Sequence, residues 1–184
     1  TSNDLDSAAW WTTYGMVYRH AIEAGAKTIM AGHIRQPALT REVDPSVEAR
    51  AMMPATLSPE LLGGVLRDRL GFDGLIVSDN SAMTGMTAMA PRRIALPRML
   101  DSGIDMILGN LDVDEDFRIL LEAVADGRIS RMRLDDAVRR VLGVKASIGL
   151  HTGTDRRGYE QPEPEEEADW RRDIAQRSAT LVKD

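Results

Sequence analysis

Three short apolar runs, each followed by a helical stretch, constrain this chain more than any other feature. They are Lys27 to His33, Leu75-Ile76-Val77-Ser78-Asp79 and Ile104-Asp105-Met106-Ile107-Leu108. Runs of this length and apolarity read as strands buried on both faces, the kind found in parallel rather than antiparallel sheets. The order strand, helix, strand, helix, strand, helix predicts an α/β fold with a parallel sheet and right-handed crossovers.

The intervening segments supply the helices. Trp10, Tyr14, Val17 and Ala21 recur at helical spacing, and Gly25 follows as a C-terminal stop. Ile34 to Met53 is polar and irregular, and Pro37 and Pro45 argue for a long loop after the first strand. Ser58-Pro59-Glu60 opens a helix: Ser caps free amides, Pro suits the first turn and Glu favours the positive end of the dipole. Leu61, Leu62, Val65, Leu66 and Leu70 give that helix a core face, and Gly71 ends it before an Asp73-Gly74 turn. Gly63-Gly64, inside the helix, reads as a close-packing site.

A further helical stretch, interrupted by Pro97, runs to about Gly103. Asp114 to Ala125 follows with Phe117, Leu120, Leu121 and Val124 directed inward. Ser130 caps a last helix bearing Leu134, Val138, Val141 and Leu142. Residues 1–150 thus read as one βα region, 151–169 as an acidic linker containing Pro and Gly, and 170–184 as a terminal helix that opens a second domain.

Charge and composition narrow the function. The chain carries 23 basic and 29 acidic residues, a net charge of -6, which disfavours nucleic acid and anionic membrane as partners and fits a neutral substrate. No cysteine is present, so thiolate chemistry is excluded, while both a reducing and an oxidising compartment remain open. No apolar segment approaches the roughly 18 residues that span a bilayer. The start at Thr1 has neither an initiator Met nor a signal pattern, and reads as internal to a longer protein.

Polar groups close each of the three strands: His33, Asp79 and Asn110. Strand carboxyl ends build the active face of a (β/α)8 barrel and equally of an open doubly wound sheet, so they identify a face and leave two folds open. Asp79 ends an apolar strand, where its charge needs water, a partner or a metal, or else caps the following loop and helix. His33 reads either as a sugar contact or as a satisfied structural histidine. Asn110 reads as a substrate contact or a turn residue. Met83, with Met86 and Met89, forms a stripe that suits substrate contact or flexible packing. His20 and His151 read as surface residues. Phosphate loops, His-Glu-x-x-His and Gly-x-Ser-x-Gly are absent, and neither a metal nor a cofactor is implied.

Taken in order, several segments carry a family resemblance. They are Ile29-Met30-Ala31-Gly32-His33-Ile34, Pro37-Ala38-Leu39, Met53-Pro54-Ala55-Thr56-Leu57-Ser58, and Gly71-Phe72-Asp73-Gly74-Leu75-Ile76-Val77-Ser78-Asp79. Ser102 to Leu108, Asp126-Gly127-Arg128-Ile129 and Val138-Arg139-Arg140-Val141-Leu142 complete the series. The chain resembles the barrel domain of glycoside hydrolase family 3, in particular its bacterial β-N-acetylglucosaminidase-like branch. The resemblance implies the later portion of a (β/α)8 TIM-type barrel, incomplete here, because three strands cannot close eight and would expose sheet edges. It also implies a retaining β-glycoside hydrolase with Asp79 as nucleophile.

In that branch the acid/base is a His-Asp dyad on an earlier barrel loop, and other members use a carboxylate from a following domain. Neither is present, and His33 does not match the dyad, so the 184 residues alone are expected to be inactive. A missing N-terminal barrel portion or another copy of the chain is the partner that would complete the fold. Arg177 to Asp184 resembles the start of the family's second domain. A β-glucosidase, a β-xylosidase and a non-catalytic carbohydrate-binding or structural fragment are the alternatives. An aldolase-like phosphate-binding barrel is disfavoured, since no lysine closes a strand.

Overall fold

The computed structural model describes residues 1–48, 52–152 and 163–179. Its first unit, Thr1–Ile148, is built on a three-stranded sheet of β1 (Thr28–Ala31), β2 (Leu75–Asn80) and β3 (Met106–Leu108), in the order β1-β2-β3. Both pairings are parallel, as the alternating pattern requires, with Thr28 opposite Leu75 and Val77 opposite Met106. Ile29, Ala31, Ile76 and Ile104 place the core between this sheet and the helices. Among the described residues β1 and β3 are edges, and Met30 beside one and Phe117 beside the other are exposed, as expected of a sheet that does not close.

The N-terminal helix divides at Thr13 into α1 (Ser7–Thr12) and α2 (Tyr14–Glu23). Thr13 lies at φ -115°, ψ -88°, so spacing counted across it no longer marks one face. Trp10 is buried and stacks on Tyr18, at 6.0 Å between ring centroids, whereas Tyr14 and Val17 face out. The expected stripe is therefore replaced by Trp10, Tyr18 and Ile22. Pro37 starts a helix instead of preventing one: it sits in the first turn of α3 (Pro37–Val43), where its missing amide costs nothing.

Ser58 caps the next helix as expected, its Oγ accepting from the Leu61 amide at 3.3 Å. The helix, Glu60–Arg69, is π-type, closing with the Leu70 amide bonded to the Val65 carbonyl five residues back at 3.0 Å. Its Gly64 lies against α3, where a Cβ would stand 2.6 Å from Val43 Cγ1; Gly63 faces open space. Close packing thus accounts for one glycine of the pair.

A single turn, α4 (Thr84–Thr87), precedes α5 (Arg92–Ser102), which continues through Pro97. Pro97 leaves the Arg93 carbonyl without its usual donor, and Arg128 Nη1 fills that place at 3.1 Å. The following α6 (Val113–Ala125) and α7 (Arg131–Ser147) are capped by Asp112 and Ser130. Their inward faces match the apolar expectation in part: Leu120, Val124 and Leu134 pack on the core, but the buried positions are Asp116, Ile119 and Ala123 on α6 and Ala137 on α7, while Phe117, Leu121, Val138 and Leu142 are exposed.

The lower end of the sheet is organised by Asp105, whose side chain is fully buried. Its Oδ2 accepts from the Ile76 amide at 2.9 Å and from Arg67 at 2.8 Å, and its Oδ1 pairs with Arg133. One carboxylate thereby joins β2, β3, the π-type helix and α7. Next to it Asp136 is held below the ordinary carboxylate range: burial pushes it up, but the Arg140 hydrogen bond and the charges of Arg140, Arg133 and Arg139 outweigh that.

The second unit, Gly149–Asp184, carries α8 (Pro164–Ser178). The acidic run lies within the first turn of this helix, with Pro164 leading and Glu165, Glu166 and Glu167 favoured by the dipole. The helix thus begins six residues before Trp170; residues 153–162 of the expected linker and 180–184 of the expected terminal helix lie outside the described residues. No described helix is long and apolar enough to cross a membrane.

Because breaking a buried ion pair leaves stranded charges, Asp105→Ala should destabilise the complete protein by about 3–5 kcal/mol in urea denaturation. A loss below about 1 kcal/mol, the scale of an exposed pair, would contradict this role.

Candidate active site

Parallel pairing brings the ends of the three strands to one edge, and there the backbone departs from regularity. Val77 pairs with Met106 and Asn80 with Leu108, so three steps along β2 match two along β3. The extra residue falls at Ser78–Asp79, a bulge of the kind that redirects a side chain beside an active site. The Leu108 amide, displaced from the regular ladder, donates to Ser78 Oγ at 3.0 Å.

Asp79 is half-buried. Its Oδ1 accepts from the Asn80 amide at 2.7 Å, and its Oδ2 makes no hydrogen bond among the described residues. The bond is local and does not cap α4, whose N-terminal boundary at Met83 has no side-chain cap. No described residue supplies a carboxylate or cation paired with Asp79, and no described cluster of His, Asp or Glu has the makings of a metal site.

The residues flanking Asp79 are tied to both neighbouring strands. His33 is buried, with Nδ1 2.7 Å from Thr56 Oγ1 and Nε2 2.9 Å from the Asn80 carbonyl. A carbonyl only accepts, so in the neutral ring Nε2 carries the hydrogen and Thr56 donates to Nδ1. Both nitrogens are occupied, which fits the structural alternative for His33 and leaves it no free group for a sugar. On the other side the Ser81 amide donates to the Leu108 carbonyl at 2.8 Å, and Ser81 Oγ to the Gly109 carbonyl at 2.5 Å.

Gly109 is the residue of the third strand's turn that needs left-handed backbone, at φ 69°; an added Cβ would stand 2.0 Å from Asn80 Oδ1. Asn110 itself has no positive φ and is exposed. Met83 is exposed after the Asp79 strand, whereas Met86 is buried, so the stripe divides between surface and packing. His20 and His151 are exposed. Thr56, Arg92 and Asp116 join the site only in three dimensions, around Ser81 and His33. Arg92 donates to the Ser81 carbonyl and hydroxyl, both at 3.2 Å, and pairs with buried Asp116. Asp116 is the last of three consecutive acidic residues opening α6, and nothing in the sequence sets it apart from Asp114 and Glu115.

Known proteins resemble this chain as a whole. The chain is 43% identical over 186 residues to a β-N-acetylglucosaminidase/β-glucosidase of Cellulomonas fimi, covering 99% of this chain and 33% of that enzyme. It is 30% identical over 152 residues to a periplasmic β-glucosidase of Salmonella typhimurium, covering 80% of this chain and 17% of that one. Among solved structures, a β-glucoside phosphorylase superposes with TM-score 0.86 at 41% identity, covering all of this chain and 34% of that protein. A family 3 β-N-acetylglucosaminidase from Paenibacillus sp. superposes with TM-score 0.74 at 28% identity, covering 90% of this chain and 31% of that enzyme. The chain therefore spans about a third of the length of the Cellulomonas enzyme and of the two solved structures, and about a sixth of the Salmonella enzyme. The glycosyl hydrolase family 3 N terminal domain matches residues 3–144. With that match across most of its length, the chain belongs to glycosyl hydrolase family 3 and carries part of the family's TIM-type barrel.

Proposed function

We propose that the complete protein is a retaining β-glycosidase acting on β-N-acetylglucosaminides, with Asp79 as nucleophile. The observation that carries the reading is the half-buried Asp79 carboxylate on a bulge at the strand carboxyl edge, one oxygen unpaired among the described residues. Asp79 attacks the anomeric carbon, the bond to the leaving oxygen breaks with a proton delivered by an acid outside this chain, and a glycosyl ester forms. Water then opens the ester, and the same acid/base takes its proton. Support for N-acetylglucosaminides comes from the names of the Cellulomonas relative, which couples that activity with β-glucosidase, and of the Paenibacillus structure.

Met83 and Asn110, both exposed, are the residues of this face that meet the sugar in this reading. His33 acts through the Asn80 carbonyl instead of on the substrate. The completing partner is the upstream part of the barrel, and 170–184 leads into a second domain. No described residue pairs with Asp79 as a proton donor for the leaving group, so in this reading the isolated chain should release no aryl alcohol from an aryl β-N-acetylglucosaminide. Turnover by that chain would contradict the placement of the acid/base.

A second reading comes from the β-glucoside phosphorylase, whose superposition covers the whole chain. In it phosphate replaces water in opening the glycosyl ester and a sugar 1-phosphate is released. Supplying the complete protein with substrate and phosphate separates the two: free sugar alone supports hydrolysis, and sugar 1-phosphate supports phosphorolysis.

Asp79→Asn keeps the shape and removes the nucleophilic charge. In the complete protein it should lower kcat by on the order of 1,000-fold or more, with an unchanged circular dichroism spectrum. Near-normal turnover would refute the role.

A further inference from the structure

Arg92 breaks a local rule. It occupies the first position of α5, where the helix dipole disfavours positive charge, and no acidic residue lies in that first turn to offset it. Such conflicts between a residue and its local structure concentrate at functional or strained places. What offsets the conflict is long-range: Arg92 Nε donates to Asp116 Oδ1 at 2.7 Å, and Nη2 pairs with Asp116 Oδ2. Asp116 sits in the first turn of α6, where its charge suits the dipole, and its side chain is 5% exposed. Burying this pair instead of two apolar side chains carries a desolvation cost. Two of the three remaining guanidinium hydrogens go to one residue, Ser81, through its carbonyl and its hydroxyl.

Ser81 is two residues beyond Asp79 and is 1% exposed. Its amide and hydroxyl reach across to the Leu108 and Gly109 carbonyls, so Arg92 holds a residue that itself locks the end of β2 to the end of β3. On the opposite side His33 holds the Asn80 carbonyl. Beyond Ser81 the chain forms only the single turn α4 before α5 begins. The bulge at Ser78–Asp79 is therefore bounded on its C-terminal side by the Ser81 anchor, and Arg92 braces that anchor with two further hydrogen bonds.

We propose that the Arg92–Asp116 ion pair is a positioning device for the reaction: through Ser81 it fixes the bulge that aims the Asp79 carboxylate. Arg92 and Asp116 are positioning residues, since they touch Ser81 and each other and not the reacting carboxylate. The proposal rests on Asp79 being the nucleophile.

The decisive variant is Arg92→Met/Asp116→Leu in the complete protein, assayed on an aryl β-N-acetylglucosaminide. Replacing both members with apolar groups avoids a stranded charge and is often neutral for stability, but it removes both donors to Ser81. A misaimed nucleophile should lower kcat per folded molecule by on the order of 10- to 100-fold. KM should stay within about threefold, because substrate contacts are retained. Ser81→Ala, a smaller change that removes the hydroxyl link to Gly109 and Arg92, should lower kcat in the same direction and serves if the double variant does not fold.

Wild-type kcat per folded molecule in the folded double variant, or in Ser81→Ala if only that variant folds, would overturn the proposal. So would a loss confined to thermal stability, which is what a purely structural pair predicts. Asp79→Asn measured alongside separates the two layers. An inactive Asp79→Asn with a fully active Arg92→Met/Asp116→Leu overturns only the positioning role, whereas an active Asp79→Asn overturns the reading beneath it.

Discussion

One buried carboxylate sets the frame on which the rest depends. Asp105 stands at the start of β3 and gathers the Ile76 amide, Arg67 and Arg133 onto its two oxygens. An isolated charge at 0% side-chain exposure would be untenable, so these partners are obligatory once Asp105 is inside. They fix where β2 lies against β3 and where the π-type helix and α7 cross beneath them. With the lower end pinned, the extra residue in β2 emerges at the upper end, at Ser78–Asp79.

The upper end repeats the same solution with different chemistry. Arg92 and Asp116 form a second buried pair, but its free donors go to a loop residue instead of a strand amide. Ser78, Asn80 and Ser81 are each bonded to a neighbouring strand or the segment beyond it, through Leu108, His33 and Gly109 respectively. Between these bonds Asp79 keeps one oxygen without a hydrogen bond among the described residues. A rigid surround with an unengaged carboxylate oxygen is the arrangement a nucleophile needs, because atoms already held in place lose little freedom when the substrate arrives.

The sheet was legible in the sequence because its strands are continuous apolar runs, a signal that survives without tertiary context. Asp79 was legible for the same reason, as a charge ending such a run. Helix faces were harder. Apolarity alone turned Phe117 and Leu121 inward on α6, but the buried Asp116 takes the inward position because Arg92 meets it there. Across the N-terminal helices the break at Thr13 reset the phase, so Val17 faces out and Tyr18 packs on Trp10. Proline by itself signals a break, yet Pro37 occupies a first turn and Pro97 finds Arg128 to satisfy the carbonyl it abandons. The site's supporting groups were hidden for a related reason: Arg92 and Asp116 are 24 residues apart, and no local period links them.

As a nucleophile, Asp79 becomes covalently bonded to sugar. Its most direct test is to incubate the complete protein with a 2-deoxy-2-fluoro glycoside bearing a good leaving group, which slows opening of the glycosyl ester, and to map the adduct by peptide mass spectrometry. A mass increase of one fluorosugar is expected on the peptide containing Leu75 to Asn80, localised to Asp79. An adduct on any other residue would contradict it.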